Sequence, residues 1–403
     1  MFENVFGTYR RLLDGVTLDT HRYLFQQFKL KNRLTGLIGP RGTGKTTLLL
    51  QYIKERIEDK DKCLYVSLDS IYLSATSLVS LVGDLYELYG IRYLILDEVH
   101  KYPNWNQELK NIYDSYPDMQ VIFSGSSSID LIKGSYDLSR RSVLYRLRGL
   151  SFREYLDFIR KAEIGSVSLD SLLTDRDRIE SEVAGIEGLR GHFKRYLSHG
   201  YYPFFLEDES SYFQKLFRII EKTIYEDIPH YYKLKTENLI YFKRILAYVA
   251  TKAPGELNRN NIARNIGLDN KTVQHYLTIL EETGLIAILG GSKGGGGQLK
   301  AIEKIYLENP NLYNSICEEI GHSLDTGSIR ETFFLGMLRN AGFKPVYSTI
   351  GDFQVADTIF EIGGRNKSLK QIRERLDHAF LVKDDILYGS PSEIPLHLFG
   401  FLY

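Results

Sequence analysis

The sequence predicts an α/β protein whose first 150 residues build a parallel sheet wrapped in helices, with further modules behind it. Three observations carry this. Short apolar runs at Leu34–Ile38, Cys63–Leu68, Tyr93–Leu96 and Gln120–Phe123 alternate with helical stretches, the order of a parallel sheet covered on both faces. Polar residues close the later runs, namely Asp69, Asp97-Glu98 and Ser124-Gly125-Ser126, and open α/β sheets bind their ligands at such strand ends. From Tyr241 onward the periodicity changes to short helical patterns followed by a glycine-rich hairpin.

The first run leads into Leu34–Leu50, LTGLIGPRGTGKTTLLL. Gly39, Gly44, Lys45 and Thr46 fit the phosphate-loop pattern of glycine, four residues, glycine, lysine and a hydroxyl residue. Leu34, Leu37 and Ile38 supply the strand before it, and Thr47–Tyr52 the helix after it. Glycines let the backbone wrap a polyphosphate, and N–H groups at a helix start offer fixed positive potential. The segment Gly39, Pro40, Arg41, Gly42, Thr43, Gly44, Lys45, Thr46, Thr47 is therefore the expected triphosphate cradle. Lys45 is expected to reach the β- and γ-phosphates and the Thr46 hydroxyl to ligate Mg²⁺. Asp97 would help hold the same Mg²⁺, partly through water, and Glu98 would orient and polarise the attacking water. Ser124, after the next strand, stands where a hydroxyl could sense the γ-phosphate. Tyr9, Arg10 and Arg22 in the leading helices and linker are candidate nucleotide neighbours.

Composition bounds the rest. The chain has 403 residues, room for two or three domains. Its 51 basic and 51 acidic residues cancel, so any nucleic-acid or membrane contact must come from a local patch. Cys63 and Cys317, far apart in sequence, form neither a disulfide framework nor a zinc pattern. The N-terminus carries early charges and no long apolar core, and no apolar run approaches the ~18–20 residues of a membrane helix. The sequence reads as soluble and cytoplasmic, with no membrane partner.

The residues GPRGTGKTTLL, LILDEVHKYPNW, VIFSGSSSIDL and SRRSVLYRLRGLSFREYL resemble the AAA+ ATPases. More narrowly, they resemble a prokaryotic family that joins such a domain to an uncharacterised C-terminal module. The resemblance covers about half the chain. It implies ATP and Mg²⁺ as ligands, Ser124 as the sensor-type polar residue, and Arg141, in Ser139-Arg140-Arg141, as the arginine that stabilises γ-phosphate charge. Such an arginine often serves a neighbouring subunit's nucleotide, which implies a homo-oligomer. Arg140 beside it leaves the choice between the two open.

The predicted organisation is thus a P-loop NTPase parallel sheet over residues 1–150 and a helical lid or connector over 151–238. A winged helix over 239–305 and a small α/β nuclease-like domain over 306–403 follow. In the connector, Asp170–Arg190 is charge-rich and reads as an insertion or a mobile helix pair. Gly200-Tyr201-Tyr202-Pro203 separates two helices, and Leu216–Tyr225 is amphipathic. In the winged helix, Phe242, Ile245, Leu246 and Val249 mark one helix face. Asn258 can cap a helix closed by Gly267, and Asp269 or Asn270 can cap the next. That third helix exposes Lys271, Thr272, Gln274, His275 and Thr278, with Arg259, Arg264, Lys293 and Lys300 as phosphate contacts. Glu281 and Glu282 oppose them, so double-stranded DNA and a protein partner both stay open.

Downstream, Ile305–Ile316 reads as a strand broken at Pro310, and Ile329–Ala341 as a helix stopped by Gly342. The tail resembles the nuclease-like fold in which a helix glutamate, a strand aspartate and a Glu-x-Lys element gather around Mg²⁺. Glu331, Asp352 and Glu361 match. The lysine does not: Gly363 stands in its place, with Arg365 or Lys367 as substitutes. Cleavage is therefore not expected, and a structural or nucleic-acid-contacting relic is preferred. The leading expectation is an ATPase coupling hydrolysis to rearrangement of a C-terminal DNA- or protein-recognition module. The alternatives are a slow nucleotide-dependent signalling or defence switch and an ATP-gated metal-dependent nuclease.

Overall fold

The computed structural model describes residues 2–70, 76–125, 138, 140–252, 255, 257–291, 303–368, 370 and 378–403. Ser126, Ser139, Lys293, Lys300 and the glycines of 294–297 lie outside the described residues. The chain divides into two units, Met1–Gly149 and Leu150–Tyr403.

The first unit is built on strands β1 (Leu34–Ile38), β2 (Cys63–Ser67), β3 (Tyr93–Asp97), β4 (Gln120–Gly125) and β5 (Ser142–Arg146), in the order β2-β3-β4-β1-β5. All pairs are parallel, with Leu34 opposite both Val121 and Ser142, and Ile38 opposite both Gly125 and Arg146. Every residue of β1 is buried, as a central parallel strand requires. Among the described residues the unit also holds helices α1 (Phe2–Gly15), α2 (Lys45–Arg56), α3 (Leu78–Glu87) and α4 (Trp105–Ser115). Leu37, Leu48, Ile53, Leu64, Val82, Leu96, Leu109 and Phe123 belong to one continuous core. The loop helix α2 begins at Lys45, two residues before the sequence expectation, because Gly44 at φ 86° turns the chain directly into it. Strand β5 was not anticipated. Its run SVLYR is half-exposed rather than uniformly buried, so it carries no strong apolar signal.

In the second unit, helices Ile240–Ala250, Arg259–Ile266 and Asn270–Glu282 precede β6 (Ile286–Gly290) and β7 (Glu303–Leu307), an antiparallel pair. Asn258 caps the second helix through Asn261 N, and Asp269, not Asn270, caps the third through Lys271 N and Thr272 N. Pro310 does not break a strand. It opens the helix Pro310–Ile320, with Asn309 accepting from Leu312 N, because proline suits the first helical turn, where its missing N–H has no partner to lose. Strands β8 (Val346–Tyr347), β9 (Phe353–Val355), β10 (Thr358–Gly363), β11 (Ala379–Lys383) and β12 (Glu393–Pro395) form a mixed sheet in the order β12-β11-β10-β9-β8. The helix Thr326–Asn340 packs on it through Phe334, which meets Phe353, Phe360 and Phe399.

The helical connector belongs to the same body. Phe152 and Phe193 meet edge to face and reach Phe401 and Phe333 respectively. The charge-rich stretch forms two helices, Leu169–Thr174 and Arg176–Ala184. Buried Arg176 pairs with Glu180 at 3.1 Å and donates to Ser390 O, while Glu180 accepts from Gly389 N. These bonds tie the stretch to the residues just before β12, and of the two alternatives its composition left, insertion or helix pair, it forms the helix pair. Among the described residues, no helix is long and apolar enough to cross a membrane.

Candidate nucleotide site

The site starts where β1 ends. A β-carbon on Gly39 would lie 2.2 Å from Leu147 O, so only glycine passes there. Gly42 and Gly44 adopt φ of 79° and 86°, a region other residues enter at a cost. Thr43 Oγ1 donates to Pro40 O at 2.9 Å. Lys45 is 5% exposed, and its ammonium donates to Gly39 O at 2.9 Å and Pro40 O at 3.0 Å. The loop is thereby closed on itself around its own lysine. Arg22 braces it from the linker before β1, donating to Thr43 O and, at 2.7 and 2.9 Å, to Arg148 O and Gly149 O.

Beside the loop, Asp97 is 1% exposed and collects four donors. Thr46 Oγ1 and Tyr65 OH donate to Oδ2 at 2.6 and 2.7 Å, and Glu98 N and Ser124 Oγ donate to Oδ1. Burial, then the Asp97 charge, push the Tyr65 phenol far above its ordinary value, so it remains a donor. Glu98 sits at φ 54°, a left-handed conformation that costs a non-glycine residue on the order of 1–3 kcal/mol. Its carboxylate meets buried His100 Nε2 at 3.2 Å. The parallel order places β3 next to β4 and β4 next to β1, and so gathers Thr46, Asp97, Glu98 and Ser124 from three chain segments.

Arg141 is not brought to this group. It precedes β5, whose first residue pairs with Leu34, the first residue of β1. With about 3.3 Å per strand residue, β1 separates it from the loop by roughly 17 Å. There Arg141 grips Asp114 with Nε and Nη2 at 3.1 and 3.2 Å. Within one chain it cannot touch the loop's ligand, so the role implied for it concerns a neighbouring copy's nucleotide alone. Arg140 is exposed beside it. Tyr9 packs its phenol by Cys63, at the start of β2 and away from the loop, and Arg10 is exposed.

Tyr65, His100 and the pair Arg146–Arg148 were missed by the sequence reading. Tyr65 looks like one more apolar residue in CLYVS, and only the adjacency of β2 and β3 brings it to Asp97. Arg146 ends β5 beside Ile38, with its guanidinium pushed down by burial and then by Arg148.

A second cluster lies in the C-terminal sheet. Lys304 Nζ stands 3.4 Å from Asp352 and 3.7 Å from Glu331, which also accepts from Tyr306 OH at 2.9 Å. Lys367 meets Glu361 at 2.5 Å. A β-carbon on Gly363 would strike the Lys367 stem at 2.4 Å: the Lys367 chain fills the space where a residue-363 side chain would lie. Burial first, then Asp352, push Glu331 up to about 7 and raise Glu361 as well. Among the described residues no group of three or more His, Cys, Asp or Glu side chains is arranged to hold a metal ion.

Comparison with known proteins bears on the segment that contains the first site. The profile of a domain of unknown function matches residues 190–322, and no curated protein matches the chain. Among solved structures, the chain is similar to the replication initiator DnaA bound to AMPPCP and single-stranded DNA. That match has 17% identity and a TM-score of 0.25, covering 69% of this chain and 87% of that one. AMPPCP-bound DnaA from Aquifex aeolicus gives 18% identity and a TM-score of 0.26, covering 64% and 84%. The S. cerevisiae Hsp104:casein complex gives 14% and 0.34, covering 64% and 50%. Scores this low carry no functional information. The profile of the AAA domain matches residues 31–156, the stretch that holds the loop, Asp97, Glu98 and Ser124, and over that stretch the chain carries an AAA domain.

Proposed function

We propose that this chain binds ATP with Mg²⁺ at Gly39–Thr47 and hydrolyses it, using turnover to rearrange its second unit. The observation that carries the reading is the direct bond from Thr46 Oγ1 to Asp97 Oδ2 beside the Lys45 loop. A hydroxyl and a carboxylate oxygen converge there, the hard-oxygen donor set that suits Mg²⁺. Thr46 and Asp97 would hold the ion, which when bound neutralises phosphate oxygens. Lys45 leaves Gly39 O and Pro40 O for the β- and γ-phosphates. Glu98 orients water for in-line attack, and Ser124, fixed on Asp97, presents its hydroxyl toward the terminal phosphate. Arg141 would serve the nucleotide of a neighbouring copy.

The three helices from Ile240 to Glu282 with β6 and β7 are read as a winged helix. Lys271, Gln274, His275 and Thr278 are exposed on its third helix, available to double-stranded DNA or to a protein. Thr272 instead donates its hydroxyl to Asp269, the residue that caps the helix, and Arg259 is paired with Glu303. The C-terminal cluster is read as an ion cluster neutralised internally by Lys304 and Lys367, with no cleavage.

The test is the ATPase rate of the full chain with and without duplex DNA, at two salt concentrations. Stimulation that weakens with salt and on Lys271→Glu supports the DNA-coupled reading. Turnover indifferent to DNA leaves the exposed helix to a protein partner. Tight ATP binding with negligible turnover under all conditions makes the chain a nucleotide switch.

A further inference from the structure

The chain passes from its first unit into its second at Gly149–Leu150, and the residues just before that point are fixed to the phosphate loop twice. The first attachment lies at the loop's start. Leu147 N donates to Ile38 O at 2.8 Å, and Leu147 O occupies the space a Gly39 side chain would need. The second is Arg22, 5% exposed, whose Nη1 donates to Thr43 O while Nη2 donates to Arg148 O and Gly149 O. Arginine suits the position because its planar fork holds several carbonyls at once, which a lysine ammonium cannot do in a fixed plane.

Both attachments end on groups that a bound phosphate disturbs. Lys45 now donates to Gly39 O and Pro40 O, next to the Leu147 contact, and a β- or γ-phosphate draws that ammonium away. Thr43 O belongs to the same loop, whose N–H groups turn toward a polyphosphate. Two routes from the ligand therefore converge on residues 147–149.

We propose that Arg22 is a positioning residue. It reads the state of the phosphate loop at Thr43 O and transmits it to the backbone of Arg148 and Gly149, where the second unit begins. The proposal rests on the nucleotide-binding reading above. An arginine serving only as a structural brace would hold these carbonyls identically with and without ligand.

Amide hydrogen exchange over residues 145–156 of the full chain tests it, with and without a non-hydrolysable ATP analogue and Mg²⁺. The amides of Leu147 and Leu150, bonded to Ile38 O and Tyr201 O, are the reporters. In the wild-type chain, binding of the analogue changes their exchange. Arg22→Gln binds the analogue but loses that change, and Arg22→Lys, with one nitrogen for three carbonyls, retains part of it. The assignment is overturned if Arg22→Gln keeps the full response, or if wild-type protein binds the analogue with no response. It is also overturned if a folded Arg22→Gln chain no longer binds the analogue, since Arg22 would then act in holding the ligand. Should that variant not fold, Arg22→Lys decides alone, and a full response overturns the proposal. Failure of wild-type protein to bind the analogue at all is a separate result: it removes the nucleotide reading itself.

Discussion

Replacing Gly39 by alanine isolates one contact with little else changed. The Gly39 backbone lies outside the left-handed region, so alanine is not strained by its own φ. The difficulty is the 2.2 Å separation of the new β-carbon from Leu147 O, a backbone atom that no rotamer change can move. An ordinary carbon–oxygen contact needs roughly 3.3 Å, so β1 and the chain after β5 must part by about 1 Å. Overpacking of this kind costs about 1–3 kcal/mol, and stretching the Leu147 N–Ile38 O bond about 1 kcal/mol more. The expected loss is about 2–4 kcal/mol, or roughly 5–15 °C in the melting temperature of a unit this size. Trp105 is the chain's single tryptophan and is buried in the first unit's core, so its fluorescence follows that unit alone. Because Lys45 is moored to Gly39 O, the same shift should weaken ATP binding about tenfold or more, equivalent to 1.4 kcal/mol or above. A Gly39→Ala chain that melts within about 1 °C of wild type and binds ATP equally would refute the steric argument.

Glu98→Gln should leave ATP bound while lowering hydrolysis about 10²-fold or more, the usual contribution of a positioned base; turnover at the wild-type rate removes Glu98 from the mechanism. Lys304→Met should destabilise the second unit by about 2–4 kcal/mol at pH 8, because it strips the buried cation from half-buried Glu331 and Asp352. The loss should shrink toward pH 6 as Glu331 protonates, and a loss independent of pH in denaturant titrations would contradict this. His397 is 6% exposed, and burial, then Arg190, hold its imidazole down at about 3. The unfolded chain takes up that proton near pH 6.5 and the folded chain does not. Stability is therefore unaffected above that pH and falls below it, by about 2–3 kcal/mol at pH 4.5. His397→Met should flatten this part of the acid slope, and an unchanged slope by circular dichroism would argue against a buried neutral histidine.

The first site could be read from sequence where its chemistry is contiguous. Gly39 to Thr46 is one segment with fixed spacing, and Asp97-Glu98 and Ser124 are marked by the apolar strands they end. What hid was every partner supplied by another strand or linker. Tyr65 carries no label within an apolar run, and Arg22 is one basic residue in a helical lead. The Arg22 bonds reach across 21 to 127 positions. Arg141 shows the converse: the resemblance gave it a phosphate role, and only the parallel pairing of β5 with β1 places it at the sheet's far edge. In the C-terminal sheet, the spacing showed the missing lysine at Gly363 but could not choose between Arg365 and Lys367. The choice depends on which stem crosses the bare glycine. Strand β5 escaped because half-exposed strands lack the continuous apolar run that marked the others.

The most direct test of the central claim is phosphate release from Mg²⁺–ATP by the purified full chain, set beside Lys45→Ala. Hydrolysis by wild type, abolished together with ATP binding in the variant, is the predicted result. Hydrolysis at the same rate in both proteins would contradict it and remove Gly39–Thr47 as the site of ATP chemistry.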